Sequence, residues 1–153
     1  MESDGPRDSL RAQLDEIERG EQASWVVYPP TPFRWPLGFG CWAAAFTLVV
    51  GSLDGIVQAL AELVLVLVLF AMMAWDRRRR GTYPKGRPPR ELHGAILRMV
   101  LGAAVVGGLG WLLGERVSIW LAALVTGIGA FAVVAWYEHE YAVVAARIRD
   151  RLQ

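Results

Sequence analysis

The sequence predicts an all-α integral membrane bundle. It has four transmembrane helices in two helical hairpins, a cytoplasmic amphipathic N-terminal helix and a helical C-terminal extension. Three observations predict it. Of 153 residues, 54% are hydrophobic and 20% are charged. The charges gather in the N-terminal tail, one central stretch and the C-terminal tail, leaving four apolar segments between them. Each segment approaches the roughly 20 apolar residues that cross a hydrocarbon core of about 30 Å.

Residues 1–35 form the N-terminal cytoplasmic and interfacial segment. The opening "MESDGPRDSLRAQLDEIERG" lacks the basic start and apolar stretch of a cleavable signal peptide, so the first apolar segment reads as an uncleaved span. Leu10, Leu14 and Ile17 fall at i, i+4 and i+7, and Gly20 follows as a stop. Arg7 to Arg19 therefore reads as a short amphipathic helix. Such a helix is marginal alone in water and needs a partner surface. Seven acids against three bases through Glu21 favour a protein surface over anionic lipid. The stretch "EQASWVVYPPTPFRWP" is too rich in proline for a helix. Its Trp25, Tyr28, Phe33 and Trp35 suit the membrane–water boundary, so it reads as an extended interfacial segment. It feeds the first span at Pro36, an acceptable first-turn proline.

Residues 36–137 hold the spans, placed at about 36–51, 56–75, 94–113 and 118–137, with a basic cytoplasmic loop over 76–93. The alternation in "LVLVLVL" could suggest a strand, but a lone strand in lipid would leave its backbone groups unpaired. Residues 138–153 carry no helix breaker, and Tyr141, Val144, Ile148 and Leu152 continue the stripe of the last span. One helix from Ser118 to Leu152 would be about 50 Å long. The single cysteine, Cys41, allows no intrachain disulfide and reads as a small packing residue.

Basic residues orient the chain. Seven of the sixteen Lys and Arg lie in the central loop, four before the first span and three after the last. Arg116 alone lies on the opposite side, and Arg98 is close enough to the start of its span to snorkel back. The positive-inside rule puts both termini and the loop in the cytoplasm. The expected location is the bacterial inner (plasma) membrane. A charged amphipathic start, the approach "TPFRWP", two hairpins and the Arg-rich linker complete the layout. In this layout the chain resembles small four-span membrane proteins of unknown function from high-GC actinobacteria. The resemblance implies an architecture and no activity.

Four sets of residues are candidates for function. Asp54, Gln58 and Glu62, spaced i, i+4 and i+8, form one polar stripe running inward from the outer turn. A carboxylate at Glu62 is costly in hydrocarbon unless paired or hydrated, which makes the stripe an ion or proton site candidate with Arg116 as the nearest cation. Small multidrug transporters also have four spans and one membrane glutamate, but theirs lies early in the first span, where this chain has no acid. Gly107, Gly108, Gly110, Gly114 and Gly127 are small residues suited to helix packing or an oligomer seam. Arg77, Arg78, Arg79, Arg80, Trp25 and Trp35 suit lipid headgroups. His93, His139 and Glu138 sit at one boundary and could hold a metal, although adjacent helical residues diverge by about 100°.

The leading functional reading is non-enzymatic: a homo-oligomeric scaffold or partner subunit of a membrane complex, without a cofactor. Its partners would be membrane lipids, a second copy and a cytoplasmic or membrane protein. The run of arginines abuts a span, which argues against nucleic acid. One alternative is a small transporter or channel with its site at Glu62. A second is an interfacial metal-dependent membrane enzyme using His93 and His139.

Overall fold

The computed structural model describes residues 13, 31–80 and 89–152. The amphipathic helix expected over Arg7 to Arg19, the interfacial Trp25, and Lys85 and Arg87 of the loop lie outside them. Four helices follow in order: α1 (Arg34–Ser52), α2 (Gly55–Arg80), α3 (Arg90–Arg116) and α4 (Ile119–Leu152). Among the described residues there is no strand. All four helices are long and apolar enough to cross a membrane, which makes this a multi-pass membrane protein.

Each helix overruns its predicted span, for local reasons. α1 begins at Arg34 rather than Pro36, because Pro36 then occupies the first turn, where its missing N–H leaves no bond unmade. The Trp35 amide donates to the Pro32 carbonyl at 2.9 Å as the helix is entered. α2 runs on to Arg80 and α3 starts at Arg90, so the basic loop expected over 76–93 is helical at both ends. Glu91 in the first turn of α3 and Arg116 in its last complement the helix dipole. The fourth helix is continuous for 34 residues, about 51 Å at 1.5 Å per residue.

The turns within the hairpins are short. Between α1 and α2 lie Leu53 and Asp54, with the Leu53 amide donating to the Val49 carbonyl at 3.1 Å. Gly55 then adopts φ +61°, a left-handed conformation that a side chain would strain. Between α3 and α4, the amides of Val117 and Ser118 both donate to the Leu113 carbonyl, at 2.9 and 3.0 Å. The Trp120 amide donates to the Ser118 hydroxyl at 3.3 Å, so Ser118 caps α4.

The helices pack as a row in the order α2, α1, α4, α3. The most extensive interface is α1 against α4, which joins the two hairpins to each other. Small residues make it. A Cβ at Gly40 would stand 2.8 Å from the Gly127 carbonyl oxygen, and one at Gly127 would stand 3.0 Å from the Ala44 Cβ. Gly40 and Ala44 on α1 thus face Ala123 and Gly127 on α4, two pairs at i, i+4 spacing that let the backbones meet.

The α3–α4 interface uses a different device. A Cβ at Gly110 would collide with the Thr126 hydroxyl. One at Gly129 would come within 2.7 Å of Val106, and one at Gly102 within 3.0 Å of Val133. Glycine faces a β-branched side chain three times in succession, with the glycine alternating between the helices. Leu92 and Ala95 of α3 and Ala122, Tyr141 and Ile148 of α4 are the other buried apolar groups of this pair. α2 is the outlier. It packs on α1 over a much smaller contact, and no residue of its membrane-spanning stretch is buried within the chain.

Candidate functional site

The polar residues of α2 come together in part. The Gln58 side-chain amide donates to the Glu62 carboxylate at 2.8 Å, within one helical turn. Both are half-buried on a face that continues through Ala61, Leu65 and Leu69 at helical spacing. The Trp42 indole N–H of α1 donates to the Leu65 carbonyl at 2.8 Å, which identifies this face as the one leaning on α1. Asp54 stands outside the stripe. It is exposed in the turn before α2, and the left-handed Gly55 interrupts the helical register that would have aligned it with Gln58. Arg116 is exposed at the end of α3, and among the described residues it pairs with neither Asp54 nor Glu62. The row order explains this, since α2 and α3 occupy opposite ends of it.

His93 and His139 are both exposed. Among the described residues, no three His, Cys, Asp or Glu side chains converge in a way that could hold a metal ion. Glu138 instead accepts a hydrogen bond from the Thr31 hydroxyl, tying the approach to α1 onto α4. Glu140 takes the neighbouring cation: Arg98 reaches it at 2.9 Å, donates to the Gly94 carbonyl at 3.1 Å, and lies 5.4 Å from the Trp136 ring centroid. The Arg98 side chain is 54% exposed, so the ion pair is worth at most about 1 kcal/mol.

A second cation–aromatic group lies where the first hairpin meets the linker. Arg34 stands 5.5 Å from the Trp75 ring centroid and Arg79 stands 4.1 Å from it. Trp35 packs edge-on to Phe39 at 5.4 Å, and Phe33, just before α1, packs edge-on to Phe131 of α4, also at 5.4 Å. The chain thus carries aromatic rings and guanidinium groups at one end of its helices, a composition suited to a membrane–water boundary. Of the arginines read from the sequence as headgroup contacts, Arg77, Arg78 and Arg79 are exposed on the last turn of α2.

Cavities border the described helices. One, of about 630 Å³, lies between α1 and α3 and is floored by α4. Trp42, Phe46 and Trp111 form its walls, and Gly107, Gly110 and Gly114 hollow it out. A shallower apolar groove of about 340 Å³ runs along the α1–α4 crossing past Cys41. A third, of about 410 Å³, follows α4 from Glu138 to Arg149. Glu62 lines none of the three.

The five glycines singled out by sequence divide between two fates. Gly110 and Gly127 are packed against neighbouring helices, and a Cβ at Gly114 would stand in ordinary contact with the Ala122 Cβ at 3.8 Å. A Cβ at Gly107 or Gly108 would meet nothing within 4 Å. These two, with Ala103 and Ala104 one turn earlier, form an exposed patch on α3. Sequence reasoning missed Gly40 and Ala44, although their i, i+4 spacing is itself the signal, and it missed Gly102. It also missed the meeting of Arg34 with Trp75, which depends on how α1 and α2 are juxtaposed.

No protein-family model, no curated protein and no solved structure matches the chain.

Proposed function

We propose that this chain is a non-enzymatic protein of the bacterial inner membrane, with both termini and the basic linker in the cytoplasm. In this reading it self-associates and serves as a scaffold or partner subunit of a larger membrane complex. One observation carries the proposal: the patch of Ala103, Ala104, Gly107 and Gly108, where a Cβ at either glycine would meet nothing within 4 Å. Glycine in a helix interior is unfavourable by about 1 kcal/mol relative to alanine. Elsewhere on α3 that cost is offset by close packing, as Gly102 against Val133 and Gly110 against Thr126 illustrate. Between membrane helices, small residues are what permit backbones to approach. A helix of a second copy would give Gly107 and Gly108 the same use.

The placement of Lys and Arg supports the orientation, because they are concentrated at the tails and the linker. The protruding end of α4 then offers a helical surface on the cytoplasmic side for a protein partner. Counting subunits in lipid nanodiscs tests the reading. The native chain should assemble as dimers or higher oligomers, and Gly108→Leu should shift the population toward monomer. A monomer at every protein-to-lipid ratio would refute self-association. A proton or cation flux in proteoliposomes that Glu62→Gln abolishes would replace the scaffold reading with transport.

A further inference from the structure

Two helix ends meet at one aromatic ring. Trp75 is half-exposed near the end of α2. Arg79, one turn further on, places its guanidinium carbon 4.1 Å from the ring centroid. Arg34, the first residue of α1, places its own 5.5 Å away. The ring quadrupole attracts each guanidinium, while two guanidinium groups sharing one ring repel each other. Among the described residues, no carboxylate pairs with either group. The start of α1 adds to the positive potential, because it has no acid in its first turn and no side chain caps it. A helix N-terminus carries the equivalent of about half a positive charge. Three positive features therefore converge, with no carboxylate among the described residues paired to either guanidinium.

We propose that Arg34, Trp75 and Arg79 form a binding site for a phosphate group, carried by an anionic lipid headgroup or free in solution. The guanidinium fork matches phosphate oxygens with two parallel hydrogen bonds, and the indole face restricts the rotamers of both arginines before the anion arrives. Because Arg34 belongs to α1 and Arg79 to α2, the anion bridges two helices that pack over a smaller contact than α1–α4 or α3–α4. The site depends on the helices crossing a membrane and is independent of self-association, so the two ideas fail separately.

The test uses the full chain, delipidated in detergent micelles, with bound lipids counted by native mass spectrometry. The native protein should retain phosphatidylglycerol in preference to phosphatidylcholine. Arg34→Gln with Arg79→Gln should lower the affinity for phosphatidylglycerol at least about tenfold, as loss of two charge-assisted contacts implies. Arg77→Gln with Arg78→Gln removes the same amount of charge, all of it from the last turn of α2, and should cost less than about threefold. Equal losses in the two double variants, or no preference for phosphatidylglycerol, would overturn the site in favour of a diffuse basic surface. If the double Gln variant fails to fold, Arg34→Lys with Arg79→Lys keeps the charges but loses the fork, and it should still weaken binding. Millimolar inorganic phosphate separates the sources. Displacement of the lipid supports the site with a free anion as its ligand, and retention supports it with the headgroup.

Discussion

Alanine in place of Gly40 should weaken the α1–α4 interface, and the structure sets the size of the effect. The new Cβ would lie 2.8 Å from the Gly127 carbonyl oxygen, about 0.6 Å inside the 3.4 Å where ordinary contact begins. It would also lie 3.0 Å from the Phe131 Cβ. The oxygen belongs to the backbone of α4 and cannot swing aside, so the helices must separate along their tightest crossing. Overpacking of this kind costs about 1–3 kcal/mol. Gly107→Ala makes the same chemical change on an exposed helix face where nothing lies within 4 Å. Both variants gain the same helix propensity, about 1 kcal/mol, so their difference isolates the clash. Reversible unfolding in mixed detergent–dodecyl sulfate micelles, followed by circular dichroism, measures it. Gly40→Ala should be less stable than Gly107→Ala by about 1–3 kcal/mol. Equal stabilities would refute the close crossing. So would Gly107→Ala proving the worse of the two.

The same assay checks four other expectations. Gly127→Ala brings a Cβ to 3.0 Å from Ala44, and adding Ala44→Gly should recover part of the loss, with a coupling of about 0.5–1 kcal/mol. The Thr126 hydroxyl is buried without a hydrogen-bond partner among the described residues, so Thr126→Val should stabilise the fold by about 1 kcal/mol; a loss of that size would mean the hydroxyl has a partner after all. Trp42→Phe removes the donor to the Leu65 carbonyl, and should cost about 0.5–1.5 kcal/mol and broaden the α1–α2 distance measured by spin labels. An unchanged distance distribution would show that the bond does not hold the hairpin. Glu140→Gln breaks a half-exposed ion pair and should change stability by less than about 1 kcal/mol, with the difference shrinking as salt is added.

The helices were legible in the sequence because lipid imposes one requirement on them, an unbroken apolar length. That requirement also makes the continuation of α4 readable, since nothing between Tyr137 and Leu152 interrupts the helical stripe. Neighbour choice is another matter. Lipid is as apolar as leucine, so hydrophobic patterning does not say which face meets which helix. The α1–α4 crossing rests on Gly40 and Gly127, residues 87 positions apart, and the shared glycine content of α3 and α4 drew attention to the second hairpin instead. The stripe on α2 shows a subtler limit. Spacing aligned Asp54 with Gln58 and Glu62 on the assumption of one continuous helix, and a single left-handed residue between them removed the alignment. The arginines at the end of α2 were readable as a charge cluster, but the placement of Arg34 and Arg79 over Trp75 needed the relative positions of two helices.

The alternation of glycine and β-branched residues between α3 and α4 works as a ruler. Slide one helix past the other by a turn, and Val106 would oppose Val133 while Gly110 would oppose Gly129, a bulge beside a hole. In a solvent indifferent to sliding, those three facing pairs make one longitudinal setting cheaper than its neighbours. Since α4 is longer than α3 by seven residues, that setting meters how much of it stands beyond the end of its partner. Insertion of one turn into α4 between Thr126 and Val133 would put part of the alternation out of phase and change the protrusion. A stretch of glycines buried in the bilayer thereby governs the reach of a surface far outside it.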